Sequence, residues 1–379
     1  MERLFPFWGT DLAHISDTCQ IMESSHDTLQ SVREIVMAWG WNATCYQIIN
    51  PGIRHWFPKN HEGVIGFVRH NKVRVVAGAP VCNKSELPAI AAAFEQEARN
   101  AGERVCYFGA EERLEKLFDT SADHSMVLLG AQPTWELQRW EKIFEHHASL
   151  RAQLHRAWNK GVWVGEWGVH QASRNPVLEQ CLQEWLATRR LPPLRFLVEP
   201  ETLGRLFDRR VFVAQRGKQV VGFIVASPVP QRNGWLIEQI IRGHNAPNGT
   251  AELMVYWTAQ ALRHSGSDFM TLGLAPLSRN ASIPQTTNPL WLQATLAAVR
   301  AHGRRFYNFD GLDSFKAKFR PHSWDPVYAI ANTPTFTPRT LYSIASAFSA
   351  GSPLVLLLRA VAGAIRTEWQ WAVHREKNR

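Results

Sequence analysis

Two short segments carry the side chains best suited to chemistry on an anionic substrate. The first is Ile240-Ile241-Arg242-Gly243-His244-Asn245-Ala246-Pro247-Asn248-Gly249-Thr250-Ala251-Glu252. An apolar run closes on an arginine, a Gly/Asn/Pro turn follows, and a helical pattern begins at Thr250. The first N–H groups of a helix lack intrahelical acceptors and, with the helix dipole, attract negative charge. Asn248, Gly249 and Thr250 would bring such donors to an anion. Arg242 adds a forked guanidinium that matches phosphate or carboxylate. Glu252, in the first helical turn, has two readings: an acid/base group, or a charge that complements the dipole.

The second segment is Phe315-Lys316-Ala317-Lys318-Phe319-Arg320-Pro321-His322-Ser323-Trp324. The two phenylalanines can anchor it. If it is extended, Lys316 and Lys318 face one side, and neighbouring ammonium groups repel unless an anion separates them. The bland alternative is a solvated basic loop. Other chemistries lack support. No His/Glu or Cys/His spacing suits zinc, so no metal is expected. No Gly-x-Ser-x-Gly elbow marks a serine nucleophile. Cys19, Cys45, Cys82, Cys106 and Cys181 form no Cys-x-x-Cys pair and are odd in number, as expected of a reduced cytosolic chain. Met1 to Trp8 shows no secretory signal.

The elements that must position these residues repeat a theme. A helix is expected over 27–41, with Asp27 a possible cap. Strands are expected at Val64–Val68 and Val73–Gly78 around a turn at His70-Asn71-Lys72. A helix follows over Ser85–Ala101, with Ser85 as N-cap, and then a strand at Val105–Phe108. The second half offers a helix at Leu178–Thr188 and strands at Val211–Ala214, Val220–Val225 and Trp235–Ile241. A helix follows from Thr250 to Ser265, a strand at Met270–Leu274, a helix at Pro289–His302 and a strand at Arg305–Phe309. A hairpin, a helix and a further strand thus occur twice, which implies an α/β (α+β) protein with an internal duplication of fold. Between the halves, Arg151, His155, Arg156 and Lys160 lie on a helix with no acid from Ala148 to Gly165. Residues one turn apart share a face, so this is either a solvated linker helix or a surface for phosphates.

The chain carries a net charge of +9 and 16 tryptophans. The charge points to phosphates in RNA or anionic lipid as partners, and the tryptophans suit core packing, base stacking or a membrane interface. From Ser343 to Ile365 the chain is mostly apolar, interrupted by Gly351-Ser352-Pro353; Arg359, Arg366, Arg375, Lys377 and Arg379 outnumber Glu368 and Glu376. An amphipathic tail resting on an anionic leaflet fits this better than a span, and a helix packed on the body is the equal alternative.

In this order and spacing, the two segments resemble the C-terminal domain of phosphatidylglycerol lysyltransferases. The likeness runs through Arg242, Ala246-Pro247-Asn248-Gly249-Thr250, Glu252, Leu272-Gly273-Leu274-Ala275-Pro276-Leu277, Tyr307-Asn308-Phe309-x-Gly311-Leu312, Phe315-Lys316-x-Lys318-Phe319, Pro321, Trp324, Pro326 and Tyr328. A looser likeness surrounds Val73 to Val81. The resemblance implies two tandem GNAT-like acyltransferase domains with mixed sheets flanked by helices. Their expected spans are 1–145 and 171–335, with a basic connecting helix over 146–170 and the tail over 336–379. It implies transfer of an aminoacyl group from a tRNA to a lipid hydroxyl, with aminoacyl-tRNA as donor and no cofactor, by a cytoplasmic enzyme peripheral at the inner face of the membrane. Arg242, Glu252 and Lys316 take catalytic roles. Glu238, Gln239, Asn248, Gly249, Thr250, Asp310, Lys318 and Trp324 take substrate contacts, and Arg151, Arg156 and Lys160 contact tRNA. Two positions depart from the family pattern: Gln239 stands where an Asp is frequent, and Val327 where a basic residue is. Two rival classes stay open, an acyl-CoA-dependent N-acyltransferase and a non-catalytic tRNA- or lipid-binding relative. Retention on CoA resin would mark the first, and salt-dependent tRNA binding without turnover the second.

Overall fold

The computed structural model describes residues 21–22, 26–145, 147–189, 194–278, 280, 290–294 and 309–349. Residues 305–308 of the expected late strand, most of the expected helix from Pro289, and the tail beyond Ser349 lie outside these residues.

The first half opens with α1 (His26–Trp39) and then strands β1 (Arg54–Trp56), β2 (Gly63–His70) and β3 (Val73–Ala77). Asn71 and Lys72 link β2 to β3 with φ of 51° and 59°. Two consecutive left-handed residues form the tight turn whose twist matches a hairpin. Helix α2 (Leu87–Asn100) follows. Its start differs from the expected Ser85 cap: Asn83 accepts the Ser85 N–H, and a short 3-10 turn precedes Leu87. Ile90, Ala91, Phe94 and Ala98 recur at helical spacing and are buried against the sheet. Strand β4 (Arg104–Ala110), helix α3 (Glu112–Phe118) and the long strand β5 (Ser125–Glu136) complete this half.

Two short helices, α4 (Trp140–Glu145) and α5 (Ala148–Trp158), lead into the second half. Strand β6 (Val162–Trp167), helix α6 (Pro176–Ala187) and strands β7 (Arg210–Arg216), β8 (Gln219–Val229) and β9 (Gly234–Arg242) follow. Helix α7 (Thr250–His264) and strand β10 (Phe269–Thr271) repeat the strand–helix–strand unit of the first half. Last come α8 (Phe309–Ala317), β11 (Ser323–Ala331) and α9 (Pro338–Ser349).

Among the described residues, fourteen strands join into one mixed sheet whose main path after the short strand Ile21–Met22 runs β1-β2-β3-β4-β11-β5-β10-β9-β8-β7-β6. Both halves meet on β5. Its residues Ser125–Thr134 pair with β11, and Thr134–Glu136 pair with β10. Strand β11, near the end of the described chain, thus lies between β4 and β5. Helix α9 returns there too: Ile344 and Ala347 join the first half's core, and the Phe348 ring packs edge-on to Phe108 at 5.0 Å. The first helix of the tail therefore packs on the body. Among the described residues, no helix is long and apolar enough to cross a membrane. Cys45, Cys82, Cys106 and Cys181 are buried free thiols.

The two parallel strand pairs differ. In the first half β3 and β4 stay in register from Val73/Arg104 to Ala77/Phe108, and the Gly78 N–H continues the ladder to Phe108 O at 2.8 Å. Asn42 and Thr44 fill the space beyond: Asn42 Nδ2 donates to Gly109 O at 2.9 Å, and a Cβ on Gly78 would lie 2.5 Å from Thr44 Oγ1. In the second half, β9 and β10 pair only from Gly234/Phe269 to Leu236/Thr271, while β9 runs on to Arg242 against β8 alone.

Candidate active site

The cleft between β9 and β10 has a local cause. Thr271 Oγ1 donates to Pro133 O at 2.8 Å and accepts the Gly273 N–H at 3.0 Å. Gly273 then turns with φ of 69°, so the chain leaves the ladder where β9 continues. The expected strand over Met270–Leu274 accordingly stops at Thr271. The carbonyls of Leu272, Gly273 and Leu274 lose their place in the sheet, and Lys316 Nζ donates to all three at 2.7, 2.7 and 2.9 Å.

Lys316 is buried. Burial pulls its pKa down to about 7, against the opposing pull of Asp313. An ammonium has three N–H donors and a neutral amine two, so the charged form is the one this three-carbonyl cradle fits. The expectation that Lys316 and Lys318 face one side is corrected here. Helix α8 extends through Ala317, and residues two apart on a helix point in different directions. Lys316 turns inward. Lys318 lies 2.8 Å from Glu252 Oε1. Phe319 anchors this segment in the core, with its carbonyl accepting from Trp135 Nε1 at 2.9 Å.

Glu252 sits in the first turn of α7. The preceding turn brings α7 against α5: Gly249 has φ of 94°, and a Cβ there would lie 2.1 Å from Gln153 O. Only glycine meets both conditions. Thr250 is fully buried and its hydroxyl bonds Pro247 O at 2.7 Å, so of this trio Asn248 alone is exposed. Arg242 ends β9 opposite Gly222. Cross-strand partners share a face, and a Cβ on Gly222 would point at Met254 of α7. Arg242 therefore lies on the α7 side, exposed, with no side-chain partner among the described residues.

Several expected contacts are internal instead. Glu238 forms a buried ion pair with Arg209 at 2.7 Å; Arg209 also donates to Asn50 Oδ1 at 3.1 Å, tying the halves together. Gln239 Nε2 donates to the carbonyls of Glu199 and Pro200 at 2.8 and 3.0 Å, and Thr202 donates to Gln239 Oε1 at 3.2 Å. A carboxylate in this place would face two carbonyl oxygens with no proton to offer, which explains the amide. Asp310 is half-buried in the first turn of α8, and Trp324 is half-buried in β11 opposite Pro133. Arg151 caps α4 by donating to the carbonyls of Phe144 and Glu145. Arg156 and Lys160 are exposed on or beside α5. Sequence reasoning missed Trp158, which shares a face of α5 with Arg151 and His155 and stacks on Trp257 of α7. The three-, four- and seven-residue spacings were the available signal.

This duplicated mixed sheet, opened at one parallel pair beside a helix N-terminus, defines an α/β protein of two like halves. The chain belongs to the family described as phosphatidylglycerol lysyltransferase, C-terminal, which matches residues 33–331. The phosphatidylglycerol lysyltransferase of Bacillus subtilis is 21% identical over 71% of this chain and 31% of its own length. That of Staphylococcus xylosus is 19% identical over 81% of this chain and 36% of its own length. The chain thus spans about a third of these curated relatives. Among solved structures, the C-terminal domain (DUF2156) of a protein named as a lysylphosphatidylglycerol synthetase from Agrobacterium fabrum superposes with a TM-score of 0.72 and 23% identity, covering 86% of this chain and 99% of that one. L-PGS from Bacillus licheniformis gives 0.68 and 19%, covering 89% and 97%. Both share the fold.

Proposed function

We propose that this chain transfers an aminoacyl group from a charged tRNA to the hydroxyl of an anionic lipid such as phosphatidylglycerol, working at the membrane surface. Family membership supports the reaction class. The observation that carries the site is the open end of the β9/β10 pair, with Arg242, unpaired among the described residues, at the end of β9 and the Glu252–Lys318 pair at the first turn of α7. The aminoacyl ester is already activated, so the step needs no nucleotide or metal. The lipid hydroxyl oxygen attacks the ester carbonyl carbon, the bond to the ribose oxygen breaks, and the hydroxyl proton ends on that ribose oxygen. Arg242 holds the lipid phosphate. Glu252 relays the proton, with Lys318 as its counter-ion. Lys316 touches neither substrate; it fixes the backbone that forms one wall. Holding two reactants in line supplies up to roughly 7–11 kcal/mol.

The test is lipid mass spectrometry on a bacterial host expressing the chain, beside Arg242→Ala and Glu252→Gln. A new lipid heavier by one amino-acid residue, absent in both variants, is the expected result. An unchanged profile from folded protein, in a host that makes phosphatidylglycerol, would sink the lipid reading.

A further inference from the structure

The first half carries a second constellation, which the transfer reaction does not use. Ser121 and His124 stand in the turn between α3 and β5, and Glu95 reaches them from α2. No elbow motif announces the group; the fold alone brings it together. Ser121 Oγ lies 2.7 Å from His124 Nδ1. His124 Nε2 lies 3.1 and 3.2 Å from the two carboxylate oxygens of Glu95. The Phe118 ring stacks on the imidazole at 3.9 Å and 20°, which fixes its plane. The His124 and Glu95 side chains are only 10% and 4% exposed, so the bond between them gains from a low local dielectric. Tyr107 Oη also donates to Glu95 Oε1, at 3.1 Å, and Arg99 lies 3.5 Å from Oε2.

Glu95 sets the direction of these bonds. An ionised carboxylate only accepts, so His124 Nε2 carries the ring proton. Nδ1 then presents its lone pair, and the Ser121 hydroxyl donates to it. A hydroxyl held by an imidazole that a carboxylate orients is an activated nucleophile. A serine–histidine bond that merely closed the turn would need no carboxylate behind the ring. The two ring nitrogens exchange the places they have in the chymotrypsin-type triad, but each still makes one bond in the ring plane. Ala122, the residue after the serine, is exposed, and its N–H has no acceptor among the described residues. The residue after the nucleophile is where α/β-hydrolases find an oxyanion donor.

We propose that Ser121 is the nucleophile of a second, hydrolytic site that cleaves small activated carboxylic esters. Ser121 Oγ attacks the ester carbonyl carbon, and its proton passes to His124 Nδ1. The bond to the leaving oxygen breaks, and the alcohol departs with that proton. Water then attacks the acyl-serine, a proton returns through Nδ1 to Ser121 Oγ, and the acid is released. The turn lies at the surface, which suits a compact ester, and the exposed Asp119 and Asp123 favour an uncharged acyl group over an anionic one. Glu95 is a positioning residue, because it reaches the ester only through the imidazole.

The experiment treats the full chain with a fluorophosphonate probe, maps the label by peptide mass spectrometry, and follows p-nitrophenyl acetate hydrolysis. The label is expected on Ser121, and Ser121→Ala should hydrolyse the ester about 100-fold more slowly. His124→Gln and Glu95→Gln, shown to be folded by circular dichroism, should each take up label about 100-fold more slowly. A thiol gives an independent readout. In Ser121→Cys, iodoacetamide should alkylate position 121 about tenfold faster than in the same variant carrying His124→Gln or Glu95→Gln. A purely structural role for His124 and Glu95 would leave those rates alike. Equal alkylation rates, or folded protein that takes no label on Ser121, would overturn the proposal. Neither RNA nor lipid enters the assay, so its outcome is separate from that of the transfer reaction.

Discussion

The two halves share one plan, a parallel strand pair wrapped around a helix, yet only one is open. In the first, β3 and β4 remain zipped to their ends, and Asn42, Thr44 and the buried Glu111 close the space beyond. In the second, the matching pair parts after three residues, and a buried ammonium takes over the carbonyls that the ladder gives up. The difference teaches that opening a sheet has to be supported. Orphaned carbonyls in the interior are costly, and Lys316 removes that cost without filling the cleft.

The largest test of this contrast is Lys316→Met, which leaves three carbonyls without their donor. It should lower stability by about 3 kcal/mol in urea titration and also abolish lipid product. A variant that kept full stability would break the cradle argument. Next, Arg242→Ala should leave the urea midpoint unchanged and lower kcat/KM about 100-fold, because the guanidinium has no side-chain partner among the described residues and, in the proposed reaction, holds the lipid phosphate.

In the closed half the same scale of injury should be silent for chemistry. Gly78→Ala combines a φ of 77° with a Cβ 2.5 Å from Thr44 Oγ1. It should cost about 2 kcal/mol, with activity per folded molecule preserved. The smallest effect is pH-dependent. Burial raises the Glu111 carboxyl to about 7, although Arg232 at 3.2 Å pulls the other way. Its folded pKa lies above the unfolded one, so the native state holds the extra proton. That contribution is complete below the unfolded pKa and disappears as pH rises through about 7. Stability should fall by about 1–2 kcal/mol between about pH 5 and about pH 8, and Glu111→Gln should flatten the melting profile over this range.

Much of the architecture was legible because its signals are local. The Asn71-Lys72 turn, the Pro247–Thr250 helix start and the apolar spacing of α2 each announce themselves within a few residues. The place of β11 does not, since its partners β5 and β4 lie roughly 190 to 225 residues earlier and no local pattern encodes that choice. At the site, Arg242, Glu252 and Lys318 could be picked out by type and spacing. The inward turn of Lys316 could not, because the local pattern reads as an extended segment or a loop, and Lys316 turns inward only on the helix Phe309–Ala317. Glu238 and Gln239 enter through the resemblance alone, and alternation along β9 and its bulge turn them toward Arg209 and the carbonyls of Glu199 and Pro200.

The insertion of β11 beside β5 also has a temporal meaning. A ribosome that has finished the first half has made both flanking strands but not the one that belongs between them. At elongation speeds of roughly 5–20 residues per second, roughly 10–40 s pass before β11 emerges. During that interval β4 and β5 must wait as unpaired edges, open to pairing with the wrong strand or another chain. Such a nascent chain should be a preferred client of holding chaperones, and early termination before Ser323 should yield aggregates rather than a working half-protein.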